Sequence, residues 1–345
     1  MKAFKYNILS IASMLLPLLC LYSCIVVEDE PFDNSNKGNF EALWKIMDEH
    51  YCFFDYKKQE LGVDWNEVHV RYAAQVNEDM KREQLFEVLC NMLAELKDGH
   101  VNLSAAFDYG RNWSFFEEYP QNYNDSIVQL YLGRDYRIAS GLKYKLLEDN
   151  IGYVRCETFV DGVGDGNVSF MLDYLASCSG LIIDVRGNSG GEITRAHTLA
   201  SHFTNEKVLI GYYSHKTGKG HKDFSKPVAE YLEPATDGYR WQKPVIVLTN
   251  RECYSACNDF VKCMKQCPNV TILGDHTGGG SGMPFNSEIP NGWGVRYSAV
   301  VFYDAEMNQT EFGIDPDIFV QMSGTDTEQN LDTYIETARK LLRNR

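Results

Sequence analysis

PVIVLTNRECYSACNDF, residues 244–260, opens with an apolar run from Val245 to Leu248 dense enough for a strand buried on both faces. Asn250 to Tyr254 interrupt it, and from Ser255 onward Ala256, Phe260, Val261 and Met264 recur at helical spacing. Ser255 therefore stands where a buried strand hands over to a helix. Open α/β sheets commonly present reacting groups at such a point. The first N–H groups of that helix have no internal partner and can face an anion. The plain alternative for such a serine is an ordinary N-cap.

A second unit of the same kind precedes it. Leu181 to Val185 predicts a strand with little alternation, Arg186-Gly187-Asn188-Ser189-Gly190-Gly191 a glycine-rich turn, and Ile193 to Phe203 a helix. The turn can expose N–H groups to negative charge. Neither GxGxxG nor GxxxxGK[ST] is present, which argues against nucleotide binding. Leu142 to Leu147 and Ile151 to Val154 flank Glu148-Asp149-Asn150 as a hairpin. Further strands are expected at Val208–Tyr213, Val270–Leu273 and Val295–Phe302, and helices at Val168–Leu175 and Leu331–Leu342. Residues 215–243 read as a long excursion. Gly274 to Met283, with Thr277-Gly278-Gly279-Gly280-Ser281-Gly282, must be a loop whose backbone approaches something closely.

Upstream, residues 39–97 carry three apolar stripes: Phe40, Leu43, Trp44 and Met47; Trp65, Val68, Tyr72 and Val76; Leu85, Phe86, Leu89 and Leu93. Each predicts an amphipathic helix, and together they predict a small helical subdomain over 38–97, with a catalytic domain over 98–345. After Lys97 comes Asp98-Gly99-His100, a turn, and then Val101 and Leu103 in strand alternation. Residues 107–135 are aromatic and polar, suited to one wall of a cleft.

The amino terminus has a different character. Lys2 and Lys5 precede an apolar stretch from Ile8 to Leu21, and Leu21-Tyr22-Ser23-Cys24 follows. That is the form of a secretory signal over 1–23, too short for a confident membrane span. The last four residues resemble the bacterial lipobox, so Cys24 is expected to carry a lipid and 24–37 to form an acidic tether. The expected location is the bacterial cell envelope, as an outer-membrane lipoprotein facing periplasm or surface. The 345 residues carry a formal charge of −15, which argues against nucleic acid and anionic membrane surfaces as partners. Cys253, Cys257, Cys263 and Cys267 are spaced by fours and raise zinc binding or disulfides as alternatives to plain burial, but the tight CxxC knuckles are missing. No metal or cofactor is expected.

Hydrolysis by Ser255 needs a base and oxyanion donors. His100 is the best placed base, because the other histidines fall in helices, in the excursion or in the glycine loop. The amides of Ala256 and of the Gly190-Gly191 turn can converge on one oxygen. For the supporting acid, Asp98, Asp184 and Glu311 all remain open.

The segments DGHVNL (98–103), DVRGNSGG (184–191), TNRECYSACNDF (249–260), GDHTGGGSG (274–282) and EFGIDPDI (311–318) occur in an order that resembles the C-terminal-processing, or tail-specific, serine peptidases. The resemblance implies an α/β fold, a ClpP/crotonase-like catalytic core with an N-terminal helical subdomain. It marks Ser255 as nucleophile, and the amides of Ala256 and of Gly190 or Gly191 as oxyanion hole. Gly280 stands where the best-known bacterial branch has its lysine, so the sequence looks closer to the tricorn-core-like branch. There the histidine, His100, is the base and a glutamate, Glu311, assists. The serine that precedes the histidine in that branch is replaced by Gly99. Between Leu103 and Leu142 there is too little chain for a PDZ domain.

The implied activity is an endopeptidase or C-terminal-processing peptidase acting through an acyl-enzyme on peptide or unfolded protein. An inactive surface lipoprotein binding peptide or glycan, or an esterase-like acyl hydrolase, are the competing classes. Oligomeric state is not legible.

Overall fold

Successive residues of the central strands point into opposite cores, and this decides how the chain is layered in the computed structural model, which describes residues 33–236 and 238–344. Among the described residues four helices come first: α1 (Asn36–His50), α2 (Phe54–Leu61), α3 (Trp65–Ala73) and α4 (Arg82–Ala94). Strands β1 (Asn102–Ser104) and β2 (Tyr109–Gly110), helices α5 (Ser114–Glu117) and α6 (Asp125–Leu132), and strands β3 (Arg137–Ala139), β4 (Leu142–Leu146) and β5 (Ile151–Cys156) follow. Next are α7 (Asp165–Tyr174), β6 (Gly180–Asp184), α8 (Ile193–Ser201), β7 (Val208–His215), β8 (Val228–Leu232), β9 (Val245–Thr249) and α9 (Ala256–Lys265). The chain ends with β10 (Val270–Gly274), β11 (Met283–Glu288), β12 (Gly294–Tyr303), β13 (Ile318–Phe319), α10 (Gly324–Glu328) and α11 (Thr333–Arg343).

The strands divide between two open sheets. One is mixed, in the order β13-β10-β9-β6-β5-β4-β3, with β13 through β5 parallel and the β5-β4-β3 edge antiparallel. The other is antiparallel, in the order β2-β1-β12-β7-β8, and β11 also pairs with β12. This corrects the expectation of a ClpP/crotonase-like core: among the described residues its stacked double layer is absent, and two open sheets with flanking helices stand in its place. The physical reason lies in β1 and β12, whose long-range pairing of Asn102 with Arg296 builds a sheet of its own.

In the mixed sheet, β5, β6 and β9 are buried along their whole length, as strands covered by helices on both faces must be. Leu181, Ile183, Val245 and Val247 face one core with α7, α8 and α9, while Ile182, Ile246 and Leu248 face another with α11. A third core joins α1 to α4 to the antiparallel sheet through Leu103, Val295, Tyr297 and Val301. Residues Asn34–Arg345 form one compact unit. The signal segment, Cys24 and the tether up to residue 32 lie outside the described residues. Among the described residues no helix is long and apolar enough to cross a membrane.

Candidate active site

Parallel neighbours end on the same side of a sheet, so β6, β9 and β10 deliver their following turns to one place. The turn after β9 carries Ser255 at the N-cap of α9 with φ 56° and ψ −123°, a conformation few L-residues adopt. Its side chain makes no capping bond, so the hydroxyl is not spent on the helix. The backbone is clamped from both sides. Tyr254 N–H donates to Asn188 O (3.1 Å) in the turn after β6, and Ser255 N–H donates to Gly279 O (2.9 Å) in the turn after β10. Gly190 must lack a side chain, since a Cβ there would lie 2.7 Å from Tyr254 O and 2.8 Å from Ser255 Cβ at a φ of +103°.

His100 arrives from the other sheet, on the connection between α4 and β1. Its Nε2 lies 3.0 Å from Ser255 Oγ. The ring is buried and packs edge-on to Tyr254 at 5.1 Å. Burial is the main cause that holds its pKa down to about 4, and Arg296 and Lys57 push the same way against Asp98. The Gly282 backbone favours the charged ring, yet among the described residues Nδ1 makes no well-formed hydrogen bond.

The three carboxylates that the sequence left open have separate environments. Asp98 is buried and accepts from His100 N–H (2.7 Å), Tyr51 Oη (2.9 Å), Ser298 Oγ (3.2 Å) and Tyr254 Oη (3.4 Å). Glu311 makes no bond to His100; it accepts from Lys57 Nζ (2.9 Å) and from Ser281 N–H (3.1 Å), bracing the glycine loop. Burial, with Asp98 nearby, pushes its carboxyl up, and Lys57 opposes this. Asp184 belongs to an ion-pair cluster with Arg155 and Arg186. Gly99 is explained by Tyr254, whose hydroxyl would lie 2.9 Å from a Cβ at that position. Sequence reasoning missed Lys57, because a lysine followed by another lysine on a short helix looks solvated; here it is fully buried.

Of the oxyanion candidates, Gly190 N–H already donates to Asn188 Oδ1 (2.9 Å). Gly191 sits in a parallel bridge with Phe159 whose bonds run from Phe159 N–H to Gly190 O and from Glu192 N–H to Phe159 O. Among the described residues the N–H groups of Gly191 and Ala256 are thus uncommitted, and both residues line one cleft of about 200 Å³ beside Ser255. The aromatic segment contributes Phe115 and Tyr119 to a second cavity of about 340 Å³ that Tyr254 also lines. A larger cavity of about 670 Å³, lined by Phe86, Phe107 and Trp113, holds neither Ser255 nor His100.

The four thiols of the 253–267 stretch are buried and free. Among the described residues the ligand cluster with metal-like spacing is His197, Asp259 and Cys263. There the Asp259 carboxylate is already paired with Lys262 (2.7 Å) and His197 (2.6 Å).

Residues 150–320 match Peptidase family S41, and residues 32–94 match the Tricorn protease C1 domain. The crystal structure of a candidate peptidase from Parabacteroides merdae ATCC 43184 is 50% identical with a TM-score of 0.85, over 90% of this chain and 97% of that one. The two-sheet architecture is shared with that structure. A candidate tricorn-like protease C-terminal subunit of Sulfurisphaera tokodaii is 24% identical over 401 residues, 89% of this chain and 43% of that protein. The carboxy-terminal processing protease CtpA of Bacillus subtilis is 24% identical over 181 residues, 52% of this chain and 36% of that protein. The chain spans less than half the length of these curated relatives.

Proposed function

The chain belongs to peptidase family S41, and from that premise we propose that it is a serine peptidase, an endopeptidase or C-terminal-processing enzyme, with Ser255 as nucleophile and His100 as base. The observation that carries this is the 3.0 Å contact between His100 Nε2 and Ser255 Oγ, made by residues 155 apart in sequence. His100 takes the hydroxyl proton as Oγ attacks the peptide carbonyl. The amides of Ala256 and Gly191 hold the oxyanion, which favours Gly191 over Gly190 because the latter's N–H is already donated. His100 then protonates the leaving amine, and water activated by the same ring releases the acyl group. Asp98 orients His100 through its backbone, while Glu311 acts at one remove by holding Ser281.

Residues 38–97 serve this site as a helical support, and 98–345 carry the chemistry. Peptide or unfolded protein is the substrate. Leu21-Tyr22-Ser23-Cys24 supports a lipid anchor on Cys24 at the cell envelope.

A fluorophosphonate probe tests the assignment. Ser255 is expected to label in the wild type and to lose labelling in His100→Ala. Peptide binding by folded protein that never labels would instead favour a binding lipoprotein, and turnover of simple esters without peptides an esterase.

The depressed pKa of His100 has a sign that can be checked. A base held down to about 4 stays neutral, and competent, well below the ordinary histidine range. Activity is expected to persist as pH falls past 6.5 and to decline only as it nears about 4. The measurement is kcat/KM against pH with an uncharged peptide, with tryptophan fluorescence to verify folding at each pH. An acid limb centred at about 6.5 would mean that the ring is solvated in the working enzyme.

A further inference from the structure

We propose that Arg296 makes the cleft beside Ser255 a receptor for a substrate carboxylate, so that the enzyme selects peptides bearing one next to the scissile bond. The inference rests on the peptidase reading above and names the substrate class of that site. Arg296 lies on β12, opposite Asn102 of β1 and two residues before Ser298, which binds Asp98. Residues two apart on a strand share a face, so Arg296 stands on the same side as the groups that hold His100. It lines the cleft of about 200 Å³ together with Ser255, Ala256, Gly191 and Ser281.

Two observations point to a site for an anion. Arg296 is only partly exposed, and among the described residues its side chain has no hydrogen bond, ion pair or aromatic contact. Toward a protonated His100 its charge is repulsive. In a chain of formal charge −15, an arginine without an acidic partner inside a cleft is a cation left open. The second observation is Ser281 Oγ, a buried hydroxyl on the same cleft with no partner among the described residues. A guanidinium fork offers a carboxylate two parallel donors, and a χ1 turn that brings Ser281 Oγ from its buried position into the cleft supplies a third. Asp259, the acid that also lines this cleft, does not compete for Arg296, since its two oxygens are held by Lys262 (2.7 Å) and His197 (2.6 Å). Ile193, Met283, Pro284 and Phe302 add apolar surface to the same wall, which strengthens a charge pair where they exclude water.

The carboxylate has two sources, an acidic side chain or the peptide's own C-terminus, and the test separates them. In one arm, amidated peptides carry Glu at successive positions around the scissile bond, each paired with its Gln analogue. In the other, a neutral peptide is offered with a free or an amidated terminus. In at least one arm, neutralising the carboxylate is expected to lower kcat/KM by about tenfold or more, and Arg296→Gln to bring that ratio close to one. If the side chain is the source, Arg296→Glu shifts the preference toward Lys at the same position, a gain that misfolding cannot produce. Fluorophosphonate labelling of Ser255 in each variant reports an intact site.

Binding is measured separately, by fluorescence anisotropy with the same peptide pairs on Ser255→Ala and on Ser255→Ala with Arg296→Gln. Discrimination in binding without any hydrolysis in the wild type would keep the carboxylate receptor and defeat the peptidase reading. Discrimination that survives Arg296→Gln, its absence in both arms, or an equal loss for charged and neutral peptides would overturn the inference.

Discussion

Ser255→Gly is expected to abolish peptide hydrolysis while leaving the protein more stable by about 1 kcal/mol. The two effects have one origin. At φ 56° and ψ −123° the serine backbone occupies a region open to glycine but strained for other L-residues, at a cost of about 1–3 kcal/mol. Glycine removes the strain but adds freedom to the unfolded chain, which returns about 0.5–1 kcal/mol. The hydroxyl contributes no capping bond, so its loss removes only the contact to His100. Ser255→Ala separates the terms: it is equally inactive, keeps the strain, and should unfold close to the wild-type midpoint. Removing a nucleophile of this kind lowers kcat by about 10⁴–10⁶. Urea denaturation and peptide turnover on the purified variants give both readouts. Residual turnover above about 1% in Ser255→Ala would remove the serine from its role, and a glycine variant less stable than the alanine one would show that the turn is not strained.

What the sequence revealed divides along a physical line. The strands β5, β6 and β9 were legible because burial on both faces demands apolar runs, and the glycine turns beside them because few other residues fit there. Ser255 and His100, the proposed pair, stand out in the sequence for a similar reason: each lies at a sharp change of pattern, and the structure puts their side chains 3.0 Å apart. Helix α2 was not, since Phe54–Leu61 buries only Phe54 and Lys57 and has no side-chain cap. Strand β8 hid in the excursion because an edge strand half open to solvent needs no apolar period.

The sheet arrangement was hidden more deeply. Register between β1 and β12 is set by groups far apart in sequence, so no local spacing could separate two open sheets from the layered core that the resemblance implied. Glu311 shows the limit for site residues. Its motif suggested a partner for histidine, but its bond to Lys57 depends on α2 being folded against the glycine loop.

Arg186→Met is expected to cost about 3–5 kcal/mol, several times the change in stability expected at Ser255. Arg186 is fully buried. Its Nε and Nη2 bond Asp184 (2.9 and 2.7 Å), and its Nη1 reaches both oxygens of Asp332 (3.1 and 3.0 Å). Asp332 in turn caps α11 by accepting from Tyr334 N–H and Ile335 N–H, both 3.0 Å. One guanidinium therefore ties the turn that carries Gly190 and Gly191 to the helix closing the opposite face of the sheet. Methionine fills the volume but leaves two buried carboxylates without the cation they share. Asp184 keeps Arg155 (3.4 Å) and Tyr153 (2.7 Å), while Asp332 keeps only its capping bonds.

The pH dependence distinguishes lost charge pairing from lost packing. Burial tends to raise the Asp184 pKa, but Arg186 and Arg155 outweigh it and hold it at about 2. Lowered below its unfolded value, this group stabilises the wild type above about pH 4, and that contribution is lost as pH falls toward about 2. Without Arg186 the Asp184 carboxyl takes up a proton more readily in the folded state, so the variant recovers relative to wild type as pH drops. Urea midpoints at pH 7 and pH 4 should show the deficit shrinking. A deficit under about 1 kcal/mol, or one independent of pH, would mean that the arginine's methylenes, and not its charge, hold the turn against α11.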